Sequence, residues 1–322
     1  MKWRKLPVQD FLLLSLLAVC GAGLLVYSRP VSGAVTHAMQ LCTGVLLPSL
    51  FPFLVLSTFL ISTGIITVVT RLFDRPMYCL FGLPGCSSTA FFLGAIGGYP
   101  VGARTVSELY RQGLYSRKEA EQTLLFCNNI GPAFLIGVIG STLLNDGFLG
   151  LKLYLIHLFS ALLIGFLSRK KPCNPDCLQE TMVLKRSNSP VLPAFLQAVT
   201  KSFEVFLNIC AFVLLFAVLT CLLQQSGLIP FMTNYLPGEA ILWEGMLFGT
   251  LEITSGVDLL VKSSASRHIV LPALSFLCAW GGLSVQMQTI SLLQDANLPA
   301  KRYLIAKLVQ GFFAAILTVV LC

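Results

Sequence analysis

The sequence predicts an all-α polytopic membrane protein, with about seven transmembrane helices and two broken, re-entrant-like helical hairpins in an inverted repeat. Three observations carry this. Residues are 56% hydrophobic and 11% charged, whereas soluble domains hold roughly 25% charged residues. Mean hydropathy is +0.81. Uncharged runs at 11–27, 31–70, 205–238 and 269–294 each have room for a span of about 20 residues, or most of one. Finally, Gly97-Gly98-Tyr99-Pro100-Val101-Gly102 and Leu251-Glu252-Ile253-Thr254-Ser255-Gly256 interrupt apolar stretches at matching points in the two halves. Nonhelical backbone at bilayer depth is tolerated only where protein buries it or a watery cavity solvates it, so such breaks mark sites.

Taken in order, Lys2, Arg4 and Lys5 place the N-terminus in the cytoplasm ahead of an uncleaved first span at 10–28. Leu17-Ala18-Val19-Cys20 only loosely resembles a lipoprotein cleavage box, because Val19 is not small. A weakly amphipathic stretch leads to a second span at 46–64, which returns inside near Arg71 and Arg75. The first broken segment, 87–113, ends beside Arg111, Arg117 and Lys118, so the basic residues put both its ends in the cytoplasm. Residues 119–145 cross outward and 147–168 cross back to Arg169, Lys170 and Lys171. In the second half, 193–223 holds an amphipathic lead-in and an outward span. The broken segment 240–262 returns to the outer face, 268–294 crosses inward to Lys301 and Arg302, and a last span ends at Cys322. Lys262 and Arg267 then lie outside, against the charge rule.

The chain thus divides into an N-terminal helix (1–28), a first repeat with its hairpin (29–168), a cytoplasmic basic loop (169–191) and a second repeat with its hairpin (192–322). Faint matches support a duplication. Ala34-Val35-Thr36 recurs as Ala198-Val199-Thr200, Gly94 pairs with Gly249, and Phe126-Cys127 with Leu277-Cys278. Trp280-Gly281-Gly282 falls at the position of Asn129-Ile130-Gly131. Opposed hairpins around a midplane site are the arrangement of alternating-access transporters.

The candidate substrate-binding residues lie at and beside the breaks: Gly97, Gly98, Tyr99, Pro100, Asn128, Asn129, Glu252, Thr254, Ser255 and Gln286. Glycines allow close backbone approach, and Pro100 removes a donor. The bland alternative is a kinked helix packed through its glycines. Asn128 and Asn129, before Gly131-Pro132, offer carboxamide donors and acceptors to a solute or ion; alternatively they satisfy carbonyls freed by Pro132 or bond a neighbouring helix. Glu252 is the sharpest signal, because an acid at the centre of a span costs about 2.5–3.5 kcal/mol on insertion scales unless paired, protonated or facing water. Asp258, Gln286 and Gln288 are weaker candidates. His157 reads as hydrogen-bonded packing, and Glu108, Glu119 and Glu121 as interfacial partners of the nearby Arg104, Arg111, Arg117 and Lys118.

The net charge of +8 is dispersed between apolar spans and marks topology, not nucleic acid. Most of the 11 cysteines sit in or beside apolar runs as small hydrophobes, and Cys173 and Cys177 lack the second pair a tetrahedral metal site needs. No phosphate-binding Gly-x4-Gly-Lys-Ser/Thr loop, His-Glu-x2-His helix or Gly-x-Ser-x-Gly elbow is present, so no enzyme, catalytic residue, metal or cofactor is expected.

Leu47-Pro48-Ser49-Leu50-Phe51-Pro52-Phe53, Gly97 to Ala103, Glu119-Ala120-Glu121 and Phe126 to Pro132 together resemble the sporulation integral membrane protein family of the YlbJ type. That family is similar to proteins with the nucleoside-recognition, or Gate, domain. The resemblance implies a bacterial cytoplasmic membrane, a link to endospore formation, and traffic of a nucleoside-like or other small polar solute, with a coupling ion. The other reading is a non-transporting assembly factor with spore-envelope partners or a homo-oligomeric form. In the concentrative nucleoside transporters that also carry this domain, the broken hairpins hold polar and acidic ligand contacts. Glu252 with Thr254 is the nearest equivalent, and the first hairpin has no acid at its tip.

Overall fold

The computed structural model describes residues 8–63, 66–169 and 190–322, and these contain helices but no strands. The basic N-terminal residues, Gly64, and the basic and Cys-x3-Cys parts of the central loop lie outside the described residues. The chain opens with α1 (Val8–Val26), which turns through 93° into α2 (Ser28–Leu41). A π-wound turn (Cys42–Leu46) continues α2 directly into α3 (Leu47–Thr63). Its Leu47 N–H reaches back five residues to the Cys42 carbonyl. The widening sits immediately before Pro48, whose missing N–H interrupts the regular ladder.

α4 (Ile66–Phe81) is amphipathic and meets α5 (Cys86–Gly97) at 90°. α5 and α6 (Val101–Arg111) pack on each other as the first hairpin, within the predicted 87–113 segment apart from one residue at its start. α7 (Arg117–Cys127) begins at a capping box: the Ser116 hydroxyl accepts from the Glu119 amide and the Glu119 carboxylate from the Ser116 amide. It stops at Asn128, and a π-wound helix (Ala133–Leu143) resumes after Pro132. α8 (Gly147–Leu167) follows, capped by Asp146.

The second half begins with α9 (Val191–Gln225) and a short α10 (Leu228–Thr233). α11 (Ala240–Leu251) and α12 (Ile253–Lys262) form the second hairpin and match the predicted 240–262 segment. α13 (Arg267–Trp280) and α14 (Gly282–Asp295) are divided at Gly281, and α15 (Lys301–Leu321) closes the fold. Among the described residues four segments are long and apolar enough to cross a membrane: 147–167, 191–225, 267–295 and 301–321. Two bent pairs, α1 with α2 and α4 with α5, raise that to six. The protein is therefore an integral membrane protein built of helices. The stretch predicted as one crossing at 119–145 is broken at 128–132, where Pro132 withholds a donor and four consecutive residues leave the helix.

Three hydrophobic clusters set the breaks in place. One gathers α4 to α8 around Phe81, Phe91, Phe126 and Tyr303, with Phe81 stacked on Phe126 at 4.9 Å. A second surrounds Tyr99, Ile130, Leu135, Ile253 and Leu274, so both hairpins share it. The third joins Leu50, Leu54 and Val101 to Phe206 and Ile209 of α9. Outward faces of α8, α9 and α15 carry exposed Phe159, Phe203, Leu207, Phe312 and Ile316, as lipid contact requires.

Candidate functional site

Hairpin one is seated by glycines. Gly98 turns the tip at φ +81° and ψ −175°, a region open essentially to glycine alone. Gly94 and Gly102 press their backbones onto the Cys127 carbonyl, leaving no room for a Cβ at either position. The hairpin therefore lies directly on the end of α7. From its tip, the buried Tyr99 hydroxyl donates to the carbonyls of Cys278 (3.2 Å) and Ala279 (2.9 Å), groups next to the α13–α14 break.

At each break, side chains take up backbone groups that the helices leave free. At the α7 break, the Ile130 amide donates to His157 Nε2 (3.3 Å) and the Phe126 carbonyl accepts from Asn129 Nδ2 (2.7 Å). The Asn128 carbonyl accepts from the Lys307 ammonium. At the α11–α12 break, the Glu252 carboxylate caps α12, accepting from the amides of Thr254 (3.0 Å) and Ser255 (2.8 Å) and from the Ser255 hydroxyl (2.9 Å). At α13–α14, the Trp280 indole donates to the Thr250 carbonyl (3.2 Å), and Gln286 Nε2 donates to the Trp280 carbonyl. With no water at depth, partners of this kind are what allow broken helices to exist.

A cavity of about 120 Å³ lies where these breaks meet. Gly97, Gly98 and Tyr99 form one wall, Ile130 and Gly131 another, and Glu252, Ile253 and Thr254 a third; Ser284 and Gln288 of α14 complete it. Beside it is a vestibule of about 630 Å³, lined by α2, α9 and α12. Leu41, Phe134, Val213, Glu252 and Thr254 border both spaces. The acid that caps α12 thus stands at the threshold between a wide space and a narrow one. It is 8% exposed.

Of the predicted site residues, Gly97, Gly98, Tyr99, Glu252 and Thr254 come together around the cavity, and Ser255 faces the vestibule. Pro100 starts α6 without bordering either space. Asn128 and Asn129 are fully buried beside the cavity, inside a polar network. Asn128 donates to Thr289 Oγ1 (3.2 Å) and to the Tyr303 hydroxyl (2.9 Å), and accepts from the Ala103 amide (3.3 Å). Asn129 Oδ1 accepts from Gln310 Nε2 at 3.3 Å. Gln286 is buried behind the wall, while Gln288 borders the cavity and donates to Ser284. His157 takes the hydrogen-bonded packing role expected of it, Glu121 pairs with Arg117 and Arg302, and Lys262 pairs with Asp258.

Sequence reasoning missed Lys307, fully buried in the last span. Its signal is the spacing of Tyr303, Lys307, Gln310, Ala314 and Thr318, which lines one buried face of α15 with polar and small residues.

Residues 44–145, from the π-wound turn to the loop before α8, match the family model Gate, described as nucleoside recognition. The chain is also 29% identical over 301 residues to the sporulation integral membrane protein YlbJ of Bacillus subtilis (strain 168), covering 86% of this chain and 74% of that protein. The resemblance read from the motifs holds. The Gate match contains the first hairpin and the α7 break, and with them the walls of the cavity built by Gly97 to Tyr99 and by Gly131.

Proposed function

We propose that this protein is a sporulation-associated component of the bacterial cytoplasmic membrane whose transporter-like core binds a small polar, nucleoside-like solute between the two hairpin breaks. The observation that carries the reading is the cavity itself, bordered at once by the first break, the α7 break and the capped Glu252. The narrow part, about 120 Å³, is smaller than the roughly 300–1,000 Å³ of ordinary ligand pockets, whereas the vestibule falls within that range. A solute enters the vestibule and directs its hydroxyls or amino groups to the Glu252 carboxylate, with its ring against Tyr99 and Phe134.

The order hairpin, broken helix, closing helix runs twice, through α5 to α8 and α11 to α15. That supports a repeat; with the N-terminus cytoplasmic by its basic residues and the copies inverted, the vestibule faces the outer side, with Lys262 at its rim against the charge rule. Asn128 and Asn129 act in this scheme by holding the wall, coming to the solute only if the α7 break shifts.

The test is uptake and equilibrium binding of radiolabelled uridine and adenosine by purified protein in liposomes. Saturable binding that Glu252→Gln weakens at least tenfold is expected. Equal binding by empty liposomes and by both proteins would sink the reading and leave the assembly role, whose partners a membrane pull-down during sporulation identifies.

A further inference from the structure

The α7 break holds a buried lysine that the cavity does not explain. Lys307 is fully buried, and its ammonium donates to the Asn128 carbonyl, to Gln310 Oε1 at 2.7 Å and to Asn129 Oδ1 at 3.5 Å. It also stands 5.5 Å from the centroid of the Tyr99 ring, within cation–π range. No carboxylate is among these partners, and the ion pairs of the described residues lie elsewhere. A lone buried charge is expensive at bilayer depth, so its neutral oxygen shell must supply what a counter-ion would.

That shell has a definite character. A backbone carbonyl freed where α7 ends, at the negative end of the helix dipole, joins two carboxamide oxygens. Unwound carbonyls at half-helix C-termini are the groups that hold monovalent cations in broken-helix membrane proteins. The other hairpin break shows the complementary pairing, with the Glu252 carboxylate on the N-terminus of α12.

We propose that the oxygens at the α7 break form a monovalent-cation site and that the Lys307 ammonium occupies it as a tethered cation. The lysine takes the place at this break of the diffusible coupling ion the sequence suggested, and it fixes Tyr99 and so the tip of the first hairpin without one. The inference rests on reading the breaks as a transporter-like core, but its test measures ion binding and needs no solute.

Melting of the full-length protein in detergent is followed as choline chloride is exchanged for NaCl or KCl at constant ionic strength. Wild type is expected to be indifferent to the exchange. Lys307→Ala, which empties the site, is expected to gain a saturable rise of several degrees in Na⁺ or K⁺, while Lys307→Met, which fills it with a neutral chain, melts lower and gains none. If Lys307→Ala is recovered from membranes only when Na⁺ or K⁺ is present, that too supports the site. A saturable rise in wild type overturns the proposal. So does a Lys307→Ala protein that ignores every cation, or one that none of them recovers. Should nucleoside binding fail while Lys307→Ala still responds to cations, the functional reading falls and the tethered cation stands.

Discussion

Glu252 does two things that substitution separates. Its carboxylate satisfies the first amides of α12, and it is the ionisable group at the threshold of the cavity. Glutamine keeps an acceptor oxygen for the cap, so Glu252→Gln melts near wild type yet loses at least tenfold in solute binding, since a hydrogen bond to a charged group contributes about 1.5–3 kcal/mol. Alanine strips the cap as well, and Glu252→Ala loses a further 0.5–2 kcal/mol or so of stability in a detergent melt. Tyr99 divides in the same way. Phenylalanine removes the one hydroxyl proton shared between the Cys278 and Ala279 carbonyls, about 0.5–1.5 kcal/mol, but keeps the ring that walls the cavity and faces Lys307. Tyr99→Phe should therefore lower the melting temperature and spare binding, whereas Tyr99→Ala should abolish binding of radiolabelled nucleoside in liposomes.

The hairpins show which parts of an element a sequence can display. Both were legible because glycine, proline and an acid within an apolar run have few other uses at depth, and the second hairpin's predicted limits coincide with the ends of α11 and α12. The α7 break was legible as residues but not as geometry: a carboxamide beside a proline can face a solute or a neighbouring helix, and the choice was made by Thr289, Tyr303 and Gln310, 160 or more positions away. Lys307 was hidden because a lysine near the basic end of a span resembles an interfacial anchor until its buried face is traced. The glycines of these elements differ sharply in what they tolerate. At Gly98 the backbone is in a glycine-only region and an added Cβ would come within 2.9 Å of the Gly131 nitrogen. Gly98→Ala should cost about 1–3 kcal/mol or more, with binding lost as the tip moves. Gly33 is helical with open space around it, so Gly33→Ala should be neutral or stabilise by about 0.5–1 kcal/mol in the same melt.

At the scale of the molecule, the arrangement of spaces makes a prediction about access. The wide vestibule lies between α2, α9 and α12, and beyond Glu252 and Thr254 the narrower chamber is lined by Tyr99, Gly131 and Ser284. Behind that wall stand the hairpin glycines and the buried Asn128–Lys307 network, so in the proposed function access is expected from the vestibule side. Single cysteines in a background lacking the native 11 report this directly. A cysteine at Gln224, exposed in the vestibule, should react with a membrane-impermeant maleimide added to the outer face. One at Arg117, 61% exposed at the start of α7, should react only from the inner face. One at Ser284, 2% exposed on the chamber wall, should react slowly and only with a small methanethiosulfonate reagent, and saturating uridine should slow it further. In an alternating mechanism the same Ser284 cysteine becomes reactive from the inner face when the first hairpin shifts. Gly98→Ala, which strains that hairpin, should accelerate inner-face labelling at Ser284 and leave Gln224 unchanged. Labelling of Ser284 that is equal from both faces and indifferent to Gly98→Ala would mean that the hairpins are fixed and that the cavity is a static part of the fold.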